Sequence, residues 1–157
     1  MPEMNTNVIL LSKKGMKELK KAVARLERRQ ASIIAELREL DKVDNHDQRL
    51  ERIEKLAQLE IVESELTEKQ AALRSAKLFP RKRDALKVAL GSVVELIDMK
   101  GRIVRYTIVD SIEANPSDGR ISVQSPLGQS LIGKTIQETI QWGAGLRARQ
   151  MQLVAIR

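Results

Sequence analysis

Met16-Lys17-Glu18-Leu19-Lys20-Lys21-Ala22-Val23-Ala24-Arg25-Leu26-Glu27-Arg28-Arg29-Gln30-Ala31-Ser32-Ile33-Ile34-Ala35-Glu36-Leu37-Arg38-Glu39-Leu40 is the stretch that decides the fold. It sets Met16, Leu19, Val23, Leu26, Ile33, Leu37 and Leu40 at a 3-4 spacing, with polar Gln30 at the one skipped position. That spacing is the seam of a coiled coil. A looser stripe of Leu56, Leu59, Val62, Leu66, Leu73 and Ala76 follows at helical spacing. Between them lies the acidic run Asp41-Lys42-Val43-Asp44-Asn45-His46-Asp47, so residues 12 to 78 read as two helices folded back on each other. Ser12 is placed to cap the first helix. Phe79-Pro80 stops the second, because the residue before a proline is pushed out of helix. At about 1.5 Å per residue, each helix would reach roughly 45 Å. A rod of that kind buries only its seam, so it is suited to entering a cavity and poorly suited to forming one.

Composition narrows the classes of function. The 157 residues are 42% hydrophobic and 31% charged, which fits one or two small folded domains and neither a disordered nor a membrane chain. Trp142, Tyr106 and Phe79 are the only aromatics, too few for a stacking platform for single-stranded nucleic acid. The absence of cysteine excludes disulfides, thiolate zinc sites and cysteine nucleophiles. The polar start, Met1 to Asn7, carries no signal pattern, and no run reaches the length of a membrane span. A cytoplasmic location is therefore expected, with no membrane partner.

The formal charge of +7 is unevenly placed. Residues 13 to 29 hold eight bases (Lys13, Lys14, Lys17, Lys20, Lys21, Arg25, Arg28, Arg29) against two acids, Glu18 and Glu27. Residues 36 to 51 hold six acids (Glu36, Glu39, Asp41, Asp44, Asp47, Glu51) against three bases. Such runs are often no more than solvated helix surface. Their segregation into a basic root and an acidic tip suggests more. A basic flank can follow a nucleic-acid backbone or an acidic groove, and an acidic point is what a divalent cation needs.

After Pro80 the pattern changes. Arg81-Lys82-Arg83 opens a short linker, and from Gly91 the residues alternate in the manner of strands. Val93 to Ile97 and Val104 to Val109 read as strands joined by a turn at Met99-Lys100-Gly101; Ile121 to Val123 and Met151 to Ile156 read as two more. A short helical piece is expected near Gln129 to Ile132, closed by Gly133. The fold class is thus α+β: an N-terminal antiparallel coiled-coil hairpin over residues 1–79, a linker over 80–90, and a small antiparallel sheet domain with one short helix over 91–157.

The chain resembles the Gre family of bacterial transcript cleavage factors along essentially its whole length. In the rod the resemblance rests on Leu11-Ser12-Lys13-Lys14-Gly15-Met16-Lys17-Glu18-Leu19, on Arg28-Arg29 before Ile33-Ile34, and on the length of both helices. In the second half it rests on Gly91 to Leu96, Tyr106 to Val109, the string Ile121-Ser122-Val123-Gln124-Ser125-Pro126-Leu127-Gly128, and Leu131-Ile132-Gly133-Lys134. The resemblance implies an FKBP-like fold for the globular part and RNA polymerase as the partner. The hairpin would enter the secondary channel and reach the nascent RNA 3′ end, and the globular domain would dock at the channel rim through Ser125, Pro126, Leu127 and Gly128. A monomer is expected. A self-contained prolyl isomerase is disfavoured, because residues 91 to 157 offer only Tyr106 and Trp142 to line an apolar pocket. No recognition motif supports a plain DNA-binding protein.

The chemistry implied by the resemblance sits at the tip, where the family carries Asp-Leu-Ser-Glu-Asn-Ala-Glu-Tyr. This chain has neither the Ser nor the Tyr. Counting along the helices from both ends selects Asp44 and Asp47; matching Asp-x-x-acid-Asn selects Asp41, Asp44 and Asn45. Two carboxylates are needed because the polymerase holds one Mg²⁺ tightly and a second weakly; one can retain the second ion while its partner orients water. The protein would need no cofactor of its own and would not be an enzyme, acting as an activator of hydrolysis that RNA polymerase itself performs. The alternative is a non-cleaving regulator of the same channel. Lys20, Lys21, Arg25, Arg28 and Arg29 are the candidate contacts to RNA or the channel wall. His46, the only histidine, is read as a solvated turn residue.

Overall fold

A computed structural model describes residues 8–42, 45–80, 85–143, 145 and 148–157. It divides into a helical unit over Met16–Ala76 and a second unit that takes Val8–Gly15 together with Lys77–Arg157.

In the helical unit, α1 (Lys13–Leu40) and α2 (His46–Ser75) form the expected hairpin. Leu19, Val23, Ile33 and Leu37 of α1 are buried, and Met16, Leu26 and Leu40 are half-buried, as the 3-4 spacing requires. Gln30 keeps its place in the seam by donating to Glu63 Oε1 at 3.3 Å. The α2 side departs from the expected stripe. Leu66 is buried and Leu59, Val62 and Leu73 are half-buried, but Leu56 is 46% exposed. Lys55 takes the seam position instead, its side chain 21% exposed and ion-paired with Glu36 across the hairpin.

The second helix also ends earlier than the sequence pattern suggested. Ser75 is its last residue, and β2 (Ala76–Leu78) pairs with β1 (Ile9–Leu11) in a two-stranded sheet, with Phe79 N donating to Leu11 O at 3.0 Å.

The globular unit is built on a five-stranded sheet in the order β5-β4-β3-β7-β6. Its strands are β3 (Val93–Ile97), β4 (Ile103–Val109), β5 (Arg120–Ser122), β6 (Thr139–Trp142) and β7 (Arg149–Ile156). Helix α3 (Pro126–Leu131) lies between β5 and β6 in sequence and packs against both. The sheet is not wholly antiparallel, as the alternation alone suggested: β5 runs parallel to β4, with Ile108 opposite Ile121. Two short 3₁₀ turns, Ser111–Glu113 and Pro116–Asp118, carry the chain back between them. The second ends at Gly119, whose φ of 72° is left-handed, a conformation that suits glycine.

Val94, Leu96, Ile108, Ile121, Leu131, Ile140, Leu153 and Ile156 form the core, with Trp142 and Tyr106 packed on its margin. Val88 belongs to the same core at 2% exposure. Its amide donates to Lys134 O at 2.9 Å and its carbonyl accepts from Gly133 N at 2.8 Å. Part of the stretch expected to be a linker is therefore a structural strap. Arg81, Lys82 and Arg83 lie outside the described residues.

Candidate functional site

The hairpin turn is assembled from side chains that the sequence had offered as chemistry. Helix α1 runs out at Leu40, and Asp41 N still donates to Leu37 O at 3.1 Å. Asn45 caps α2, its Oδ1 accepting from Gln48 N at 2.9 Å. Asp47 stands in the first turn of α2, exposed, where the helix dipole favours a negative charge. Asp44, common to both sequence registers, lies outside the described residues.

Asp41 is ion-paired with Arg52 of α2. Glu39 is bonded to Lys42 at 2.8 Å, and Glu36 is paired with Lys55, whose hydrogen bond holds the Glu36 carboxyl below its ordinary pKa. Further from the turn, Arg29 donates to Gln58 at 3.3 Å and Gln70 donates to Glu27 at 3.3 Å. The distal hairpin is thus laced by polar pairs, with Asp41 built into the lacing and Asp47 presented outward. The sequence alone did not pair Arg52 with Asp41 or Lys55 with Glu36. Their opposite charges at positions facing each other across an antiparallel turn are the signal that carries these pairs. Among the described residues no cluster of acids and histidines is arranged to hold a metal ion.

The basic candidates Lys20, Lys21, Arg25, Arg28 and Arg29 are all exposed along α1. Arg29 is the one drawn toward the seam, through Gln58.

The rim-docking candidates have a local structural account. Ser125 caps α3, its Oγ accepting from Gly128 N at 3.1 Å and donating to Ser122 O at 2.7 Å. Pro126 occupies the first helical position, where its missing N–H costs nothing, and is exposed. Leu127 packs on the core. Gly128 is buried, and a Cβ there would fall on the Ser122 carbonyl. Of the four, Pro126 is the one that faces outward.

A second cluster was not anticipated. Glu113, 5% exposed, accepts from Ser12 N at 2.8 Å and from Ser12 Oγ at 2.6 Å. Arg120, 8% exposed, approaches Glu113 at 3.7 Å and donates to Asp118 at 3.1 Å. Lys14 completes the chain, donating to Asp118 at 2.5 Å and holding that carboxyl below its ordinary pKa. Partners roughly a hundred residues apart leave no local pattern in a sequence.

No helix among the described residues is long and apolar enough to cross a membrane. Residues 83–157 match the family model described as Transcription elongation factor, GreA/GreB, C-term. The chain is 33% identical over 139 residues to the transcription elongation factor GreA of Mycoplasma genitalium, covering 85% of each chain. It is 31% identical over 140 residues to that of Mycoplasma pneumoniae, covering 87% of this chain and 86% of the relative. A match to GreA of Chlorobium phaeobacteroides is 37% identical over 84 residues and spans about half of each chain, 52% and 53%. Among solved structures, the GreA factor homolog 1 (Gfh1) of Thermus thermophilus is similar at 26% identity and a TM-score of 0.43, covering 96% of this chain and 99% of that one. The two mycoplasma relatives match over 85% or more of this chain, and with them the chain belongs to the GreA/GreB family of transcription elongation factors.

Proposed function

We propose that the protein binds RNA polymerase, passes its hairpin into the secondary channel and stimulates hydrolysis of backtracked RNA. The carrying observation is the hairpin itself: two helices of 28 and 30 residues, joined by a turn that presents Asp47 in the open at the start of α2. At about 1.5 Å per residue the rod reaches some 42–45 Å, long enough to bring a side chain to a recessed active centre. In this reading the protein acts as a monomer and the polymerase performs the hydrolysis with its own Mg²⁺. Asp44 and Asp47 form the acting pair, one carboxylate helping to retain the weakly held ion and the other orienting water. Asp41, held by Arg52, shapes the turn. Lys20, Lys21, Arg25 and Arg28 line the flank that meets the RNA 3′ segment or the channel wall, and Pro126 contributes to docking at the rim.

A second reading, a regulator that occupies the channel without promoting cleavage, is favoured by one observation. Asp41 and Glu39 are both engaged by bases, so the turn offers fewer open carboxylates than its composition suggests. RNA length in backtracked complexes of the cognate polymerase, with and without the protein at matched Mg²⁺, separates the two. Faster release of short 3′ fragments supports cleavage; binding without shortening supports occupancy alone.

A further inference from the structure

The seam that α2 presents keeps its spacing to the end but changes in kind on the way. From the root outward it runs Leu73, Lys69, Leu66, Val62, Leu59, Lys55, Arg52 and Gln48, an unbroken alternation of four and three residues. The last three, nearest the turn, are all polar. Leu50, Ile53 and Leu56, the aliphatics of the same stretch, are 58%, 64% and 46% exposed. On α1 the distal seam stays apolar, with Ile33 and Leu37 buried and Leu40 half-buried. Beyond Leu59, therefore, α2 offers no apolar knob to set the stagger of one helix against the other. Gln48 does not supply it through its carbonyl, since Oε1 is buried without a partner among the described residues. What crosses the seam here is charge, Arg52 to Asp41 and Lys55 to Glu36.

Two pairs at unequal spacing admit one stagger. The acids are five residues apart on α1 and the bases three apart on α2. Sliding α2 by one turn, about 5.4 Å, brings one base to the other acid and leaves the second acid facing Gln48 or Leu59. That acid, and the base it had held, then lose their counterions in a place half withdrawn from water. Asp47 rides on the same uninterrupted helix, about 7.5 Å before Arg52 and roughly 140° around from it, which turns it outward. Whatever fixes Arg52 and Lys55 thus fixes where Asp47 stands. A misplacement near 1 Å at a reacting centre costs about a hundredfold in rate, and one turn of slippage is several times larger.

We propose that Arg52 and Lys55 are positioning residues, which fix the stagger of α2 against α1 and thereby the place at which Asp47 is presented. This rests on the functional reading above. The test uses the full chain on backtracked complexes of the cognate polymerase, and compares wild type, Glu36→Lys, Lys55→Glu and the swapped double variant. Each single variant sets like charges face to face. Expected is a loss of about tenfold or more in cleavage stimulation for each single variant, at unchanged polymerase affinity, with most of it restored by the swap. A residue that touched RNA or polymerase directly is not rescued by a swap, so loss without rescue overturns the proposal.

A second readout needs no polymerase. The chain has no cysteine, so Arg38→Cys and Glu54→Cys, both at exposed sites, carry spin labels that report the stagger in each background. One label distance is expected in wild type and in the swap, and a displaced or broadened one in the singles. An unchanged distance in the singles overturns the proposal even where cleavage falls. Displaced distances with cleavage stimulation intact overturn it as well. A wild type that binds polymerase and stimulates no cleavage overturns the functional reading and the role of Asp47 with it, whereas the label distances still support or refute the stagger.

Discussion

Glu113 completes a helix cap at Ser12, 101 residues earlier in the chain. In a capping box, the N-cap hydroxyl accepts from the third helical amide and a Glu at that third position reaches back to the N-cap amide. Ser12 performs its half, with Gly15 N donating to its Oγ at 2.9 Å. The third position is Gly15, and the returning carboxylate comes from Glu113. A Cβ at position 15 would fall within the Glu113 carboxylate. Gly15 and Glu113 are therefore two parts of one device, the absent side chain making room for the distant one.

This relationship predicts a reversal of sign. Gly15→Ala should destabilise the protein, although alanine favours a helix interior by about 1 kcal/mol over glycine, because the buried carboxylate must leave its bonds. In a Glu113→Ala background the space is free, and Gly15→Ala should become neutral or stabilising. Glu113→Gln alone should cost about 1–3 kcal/mol through the weakened bonds to Ser12. Urea midpoints of the single and double variants check this; additive effects would separate the two residues.

Gly128→Ala offers a harder case, since its neighbour is backbone. The Ser122 carbonyl cannot move aside as a side-chain end can, and Ser122 O also accepts from Ser125 Oγ. Overpacking of this kind costs about 1–3 kcal/mol, and the loss should appear in thermal unfolding with little change in the helical signal of the hairpin.

Acidification should weaken the Lys14–Asp118 pair. The hydrogen bond from Lys14, then its charge, lowers the Asp118 pKa in the folded state. A carboxyl lowered on folding stabilises at pH above its unfolded value and loses that contribution as pH falls through the folded one. The loss should therefore begin near about pH 4 and grow below it. Glu36, Asp98 and Glu138 are lowered as well and add to the acid sensitivity of the wild type. The difference between wild type and Lys14→Met isolates Asp118: it should shrink between pH 6 and pH 3, and added salt should shrink it further.

Much of the hairpin was legible because α1 repeats its aliphatics at a spacing that only a helix seam explains. The α2 side was less so, since the 3-4 spacing back from Val62 and Leu59 falls on Lys55, a charged residue beside the apolar Leu56, and its pairing with Glu36 is what lets it sit in the seam. Ala76-Lys77-Leu78 continues a helical pattern and reads equally as a strand; its pairing with Ile9–Leu11 is a long-range choice. The parallel placement of β5 has the same cause, three residues being too few to declare a direction. The tip acids were visible as a group. Which of them is open was not, because that depends on Arg52 reaching Asp41 across the turn.

The most direct test of the tip's role compares wild type with the double variant Asp44→Ala, Asp47→Ala on backtracked complexes, measuring polymerase affinity and RNA shortening together. Expected is unchanged affinity with cleavage stimulation lost. Cleavage that persists in the variant, or affinity lost along with it, would contradict a tip that acts on the reaction while other surfaces hold the polymerase.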